Sequence, residues 1–118
     1  MKKKGSDFCS VEQQIIGLDH QQLGQGLAEQ WKFPRPCQLV AGYHHQPENL
    51  ADQSRLLVNL VFVADTLVAH SKHGFPLTAC NQQLEPTRLA DLQIEQSAVD
   101  ATKAKLTELV SEACVLLA

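Results

Sequence analysis

Residues 19–47 read DHQQLGQGLAEQWKFPRPCQLVAGYHHQP and hold three of the five histidines together with the single Trp and the single Tyr. His20, Leu23, Gly24, Leu27, Ala28 and Trp31 recur at helical spacing and so share one helix face. Asp19 precedes them as an N-cap, its side-chain oxygen able to accept from the free N–H groups of the first turn. The helix must stop by Phe33, because Pro34 drives the residue before it out of the helical region. Pro36 suits the first turn of a second helix, where a missing N–H is no loss. On that helix Cys37, Val40 and His44 share a face, and His45 follows one step round. The spacing predicts a helical hairpin with one histidine starting one arm and two ending the other. An antiparallel hairpin brings those ends together.

Working outward, Val11 to Ile16 reads as a short helix closed by Gly17, with the N-terminal segment, residues 1–10, loose before it. Gln46 to Asp52 is a polar connection, and Asp52 can cap a long helix from about Gln53 to Lys72. That helix carries Leu57, Leu60, Val61, Ala64, Leu67 and Val68 on one side, and Leu56, Val58, Phe62 and Val63 on others. A helix apolar nearly all round is a central one. Gly74 and Pro76 end it, and Phe75 to Leu84 is a turn-rich connector. Pro86 to Leu92 is a short helix. Glu95 to Leu117 is a long amphipathic one with Val99, Leu106, Leu109, Val110, Ala113, Leu116 and Leu117 on its apolar side. No segment alternates with period two for long enough to make a strand. The expectation is all-α: a compact helical bundle of about five to six helices in a single domain, residues 1–118.

Composition narrows the function. A length of 118 residues permits one domain with a modest core. The net charge of -3 includes a cluster at Lys2, Lys3 and Lys4, and the other basic residues are scattered. No basic stripe tracks a phosphate backbone, which argues against nucleic acid. The longest apolar run, Leu56 to Ala64, is far shorter than the ~20 residues that a bilayer span needs, so no membrane partner is expected. Cys9, Cys37, Cys80 and Cys114 form no Cys-x-x-Cys pair, and the lysines at the start are not followed by the apolar segment of a signal peptide. Reduced thiols in a cytoplasmic protein are the expectation.

The ordered series Gly17-Leu18-Asp19-His20, Gly24, Leu27, Trp31, Pro34 and His44-His45-Gln46-Pro47 resembles the second half of an HDOD domain, the HD-related output domain of bacterial signalling proteins. Asp65, in VFVADTLV, falls where that family has its Ala-Asp helix. The resemblance runs from about Val11 to the end and implies an HD-domain-like helical lobe, here a partial domain. HDOD domains are similar to the HD and HD-GYP metal-dependent phosphohydrolases but usually lack their full ligand set. By that resemblance His20, His44, His45 and Asp65 fall on metal-ligand positions. The family's His-Asp dyad has no counterpart upstream of His20, and the Gly-Tyr-Pro signature of HD-GYP proteins is absent. Glu48 is displaced from the His-His-Glu pattern by Gln46-Pro47. The resemblance therefore implies a non-catalytic signalling module, with a remnant of an HD-type phosphohydrolase as the alternative.

The residues themselves leave two readings of the four. Imidazole nitrogens and a carboxylate suit zinc, iron, manganese or nickel. They equally suit a polar network tying helix ends together, in which a buried Asp65 needs a hydrogen-bonded partner. The expectation is the network, with no cofactor and any divalent metal weakly held. His70 and His73 read as exposed, Cys37 as a small core residue, and Trp31 as a core anchor. Partners are expected to be another protein or a second copy. The long helix is apolar on more than one side, and a homodimer would place Phe62, Val58 or Leu56 near the contact.

Overall fold

The computed structural model describes residues 8–71, 79 and 82–117, all of whose regular elements are helical. In order they are α1 (Phe8–Ile16), α2 (His20–Gln30), α3 (Arg35–Tyr43), a 3₁₀ turn (Pro47–Asn49), α4 (Asp52–His70), α5 (Pro86–Asp91) and α6 (Gln96–Leu117). The all-α expectation and the six helices hold among the described residues. The connector expected at 75–84 and His73 fall mostly outside them.

Local rules set most helix ends. Gly17 follows α1 with φ +88°, a left-handed conformation that costs glycine little. Helix α1 nevertheless begins at Phe8, so residues 8–10 are helical rather than part of a loose segment. The added turn carries Cys9, which is buried. At α2 the Asp19 Oδ1 accepts from Gln22 N–H at 2.9 Å, and Gln22 Oε1 accepts from Asp19 N–H at 3.0 Å. This reciprocal capping box satisfies two orphan donors, and an N-cap of this kind contributes about 1 kcal/mol. Lys32 ends α2 in the left-handed region, φ 57°, and the Phe33 N–H returns to Ala28 O. Helix α3 carries Pro36 in its first turn, as expected. For α4 the N-cap position is Ala51, and Asp52 is already the first helical residue.

Helices α2 and α3 form the expected hairpin, but only part of the face read for α2 is covered. Its buried residues are Gln21 and Ala28, while Leu23 and Trp31 are exposed, Trp31 at 66%. Small residues line the contact instead. A Cβ on Gly24 would sit 3.7 Å from the Ala41 Cβ, and one on Gly42 would run into the Gln25 side chain. The two backbones thus approach too closely for large side chains between them. Trp31 lies at the C-cap, beyond the last helical turn, and meets Phe33 with ring centroids 6.3 Å apart. It is no core anchor. Cys37, at the start of α3, is likewise exposed rather than a core residue.

Helix α4 is the central one. It buries Val58, Asn59, Phe62, Val63, Thr66, Leu67 and Ala69. Val63 and Leu67 join Leu89 of α5 and Val99 of α6 in one cluster, with Leu84, Leu92 and Ile94 packed against it. Arg88 of α5 places its guanidinium 4.0 Å from the Phe62 ring centroid and donates to Asn59 Oδ1 at 2.7 Å. Val58 and Phe62, expected near a contact between copies, are therefore interior. Leu56, Leu57, Leu60, Ala64 and Val68 remain exposed on the other side of α4. On α6 only Val99 is buried, and Leu109, Leu116 and Leu117 are half to almost fully exposed. The apolar side read for that helix is largely uncovered. No helix among the described residues is long and apolar enough to cross a membrane.

Candidate metal centre

The hairpin places His20 at the first residue of α2, and His44 and His45 just beyond α3. Adjacent helical residues diverge by about 100°, so a His-His pair shares a site only where the helix is ending. It ends here: His44 is the C-cap of α3, and Pro47 is buried in the 3₁₀ turn that follows. The His45 N–H is taken by Gln21 Oε1 at 2.9 Å, which pins the pair against the start of α2. The three rings then meet. His20 Nε2 lies 3.3 Å from His44 Nε2 and 3.1 Å from His45 Nε2.

Each ring's other nitrogen faces an acceptor. His20 Nδ1 lies 2.8 Å from Glu12 Oε2, and the same oxygen accepts the His20 backbone N–H at 2.8 Å. His44 Nδ1 lies 2.9 Å from Val40 O and 3.2 Å from Ala41 O. His45 Nδ1 lies 2.5 Å from Gln82 Oε1. The Gln82 amide is itself oriented, since its Nε2 donates to Thr66 Oγ1 at 2.7 Å and Thr66 donates to Phe62 O at 2.7 Å. These acceptors place the proton on all three Nδ1 atoms, and the Nε2 lone pairs of His44 and His45 each face that of His20. Lone pairs cannot satisfy one another. A proton can bridge a facing pair only by making one ring an imidazolium, and a metal ion bound to His20 Nε2 can take a neighbour's lone pair as well.

The distances fit the second solution. Zinc–nitrogen bonds of about 2.0–2.1 Å at a tetrahedral angle place two ligand nitrogens about 3.3 Å apart. Imidazole ligands that donate their outer N–H to a carboxylate, carbonyl or amide are the usual outer shell of such a centre. Asp65, the fourth residue read from the sequence, is not with the converging nitrogens. Its Oδ2 lies 3.7 Å from His45 Nδ1, on the outer side of that ring, and is buried with no hydrogen-bond partner. It adds negative charge behind His45, which favours a cation in the cluster.

Electrostatics prepare the site in the same sense. Burial, followed by repulsion from His45 and His20, pushes the His44 imidazole below its ordinary value, so it stays neutral and able to ligate. For Glu12, burial raises the carboxyl pKa, but the His20 backbone and ring N–H groups outweigh it and hold the group below the usual carboxylate range. Both signs give the metal-free protein one pH dependence. The unfolded chain binds more protons than the folded one below about pH 6.5 at His44, and again below about pH 4.5 at Glu12. Stability should fall from about pH 6.5 downward and fall further through the carboxylate range. Urea titrations in chelator between pH 7.5 and 4 would show this, and a flat profile between pH 7 and 5 would contradict the His44 assignment.

Sequence reasoning missed Cys9, Glu12, Gln21 and Gln82. Cys9 Sγ lies 3.8 Å from His20 Nδ1, and Cys9, His20 and His45 offer donor atoms all within 4.8 Å of one another. Cys9 and Glu12 are three residues apart, hence on one helix face, and that was the available signal.

An all-α module with imidazoles gathered where a helical hairpin closes is the class that fold and site define. Residues 1–47, less than half of the chain, match the family model of the HDOD domain. The matched stretch contains the whole three-histidine cluster and the Glu12 that orients it. Comparisons with curated proteins and with solved structures give no match.

Proposed function

We propose that this chain is a non-catalytic HDOD-type module of bacterial, cytoplasmic signal transduction, whose three-imidazole cluster holds a divalent metal ion. The observation that carries the reading is the approach of the His44 and His45 Nε2 atoms to that of His20, at 3.3 and 3.1 Å, with every Nδ1 committed to an acceptor. Bound there, the ion would supply a cross-link between the start of α2 and the end of α3. His20, His44 and His45 would hold it, and Glu12, the Val40 carbonyl and Gln82 would fix the rings. Asp65 stands behind His45 as a charge partner.

The exposed stripe Leu57, Leu60, Ala64 and Val68 on α4 supports a protein partner or a second copy as the receiver of that state. The test is zinc content by elemental analysis after dialysis, paired with light scattering on a size-exclusion column with and without zinc. One equivalent of zinc that survives dialysis is the expected result, and a zinc-free protein that also fails to take zinc up would overturn the reading. Hydrolysis of a phosphodiester by the loaded protein would instead favour the alternative, a remnant of an HD-type phosphohydrolase.

A further inference from the structure

Buried polar atoms in a folded chain are hydrogen-bonded, and one that is not calls for an explanation. Asp65 carries such an atom. Its Oδ2 is buried without a hydrogen-bond partner, although the side chain as a whole is 39% exposed. What faces it is the outer nitrogen of His45, 3.7 Å away and beyond hydrogen-bond reach. That ring is only 9% exposed, and its Nδ1–H is directed at Gln82 Oε1, 2.5 Å away. The fold thus keeps an unsatisfied carboxylate oxygen behind a ring whose inner nitrogen lies 3.1 Å from His20 Nε2.

We propose that Asp65 is a positioning residue of the loaded cluster: the acceptor, beside Gln82, that the His45 Nδ1–H meets once an ion is bound to the ring. This rests on the reading that the histidine cluster holds a metal. An imidazole bound through Nε2 carries part of the ion's charge, so its Nδ1–H becomes a stronger donor. A charged acceptor gains more from that than a neutral amide does. No proton is exchanged, because the ion takes the Nε2 lone pair and Nδ1 keeps its hydrogen. Gln82 sets the tautomer, and Asp65 adds to the hold on the ring when the ion arrives. Asp65 lies on α4, as does Thr66, to which Gln82 donates. Both contacts on the outer side of His45 therefore lead to α4, the helix that carries the exposed stripe. Occupancy of the cluster and the state of α4 are then linked. A partner whose binding to α4 is altered by the metal must alter metal affinity by the same factor.

Asp65→Asn in the full chain tests this, because it keeps the shape of the side chain and removes its charge. Zinc affinity by chelator competition should fall about tenfold. The urea midpoint in chelator should stay the same or rise, since the oxygen that is changed has no partner to lose. A second readout is the His45 Nδ1 proton in the NMR spectrum of protein carrying isotope-labelled histidine. Zinc should move it downfield in the wild type and by clearly less in Asp65→Asn. Wild-type zinc affinity in the variant, or a His45 proton that zinc leaves in place in the wild type, would overturn the assignment and leave the metal reading standing. An affinity loss matched by an equal loss of stability in chelator, with the proton shift intact, would make Asp65 structural only and overturn it as well. No zinc uptake by the wild type would overturn both.

Discussion

Zinc in excess should raise the melting temperature of the metal-free protein by about 10 °C, and His20→Ala should abolish that rise. Anything that binds the folded state alone stabilises it by mass action, about 2.7 kcal/mol when the free ion stands at 100 times its dissociation constant. For a chain of this length that free energy corresponds to a shift of roughly that size. His20 is the residue to remove because its Nε2 is close to both of the others, 3.3 Å from His44 and 3.1 Å from His45. Without it His44 and His45 remain, and two imidazoles at a helix end hold zinc weakly. Melting curves in chelator and in zinc, for wild type and variant, make the measurement. A rise of equal size in His20→Ala would place the ion elsewhere and remove the basis of the metal reading.

The second large effect concerns a residue with no ligand atom for the ion. Gln82→Ala should cost about 1–3 kcal/mol in chelator, because it takes away the amide that links two buried groups. Thr66, fully buried, loses the donor at 2.7 Å, and His45 Nδ1 loses its acceptor. The same substitution should weaken zinc 10–100-fold, the usual consequence of losing an outer-shell partner. The Gln82 oxygen is what keeps the His45 proton on Nδ1 and the Nε2 lone pair on the cluster side. Gln82→Glu separates the two effects, since it retains an acceptor for His45 but no donor for Thr66. It should recover most of the zinc affinity and little of the stability. Chemical denaturation and zinc competition on the three proteins provide both numbers. Unchanged zinc affinity in Gln82→Ala would show that the relay from Thr66 to His45 is structural only.

Helix ends were legible in the sequence because their rules are local. Asp19, Gly17, Pro34 and Pro36 each act within a few residues, and the structure puts α1, α2 and α3 where those residues require. The meeting of His20 with His44 and His45 was legible for the same reason, as a consequence of an antiparallel hairpin. Which side of each helix is buried was not. In α2 the face read from His20, Leu23, Gly24, Leu27, Ala28 and Trp31 is only half covered: Ala28 is buried and Gly24 half-buried, Gln21 is buried beside them, and Leu23, Leu27 and Trp31 are outside. The close approach at Gly24 and Gly42 decides that, and closeness between two helices is invisible in either one alone. Gln82 was unreadable for a related reason: it reaches His45 across 37 positions, and nothing near it in the chain announces the contact. Asp65 was read as a ligand by resemblance, and the geometry moves it behind His45.

Helix α1 is fastened by very little. Its Ile15 and Ile16 are 77% and 69% exposed, and of its apolar residues Cys9 is buried while Phe8 and Val11 are half-buried. What holds it down is polar: Glu12 on the first N–H and ring of α2, and the Cys9 sulfur beside His20. Segments with few buried apolar contacts detach at a free-energy cost well below that of global unfolding. Amide hydrogens of α1 should therefore exchange through such partial detachment, far sooner than those of α4. Because Glu12 of α1 holds the His20 ring, loading the cluster with zinc should slow exchange across α1, with little change in α5 or α6. The N-terminal helix would then be the part of the molecule whose docking reports whether metal is present, and mass-resolved deuterium uptake would read that report directly.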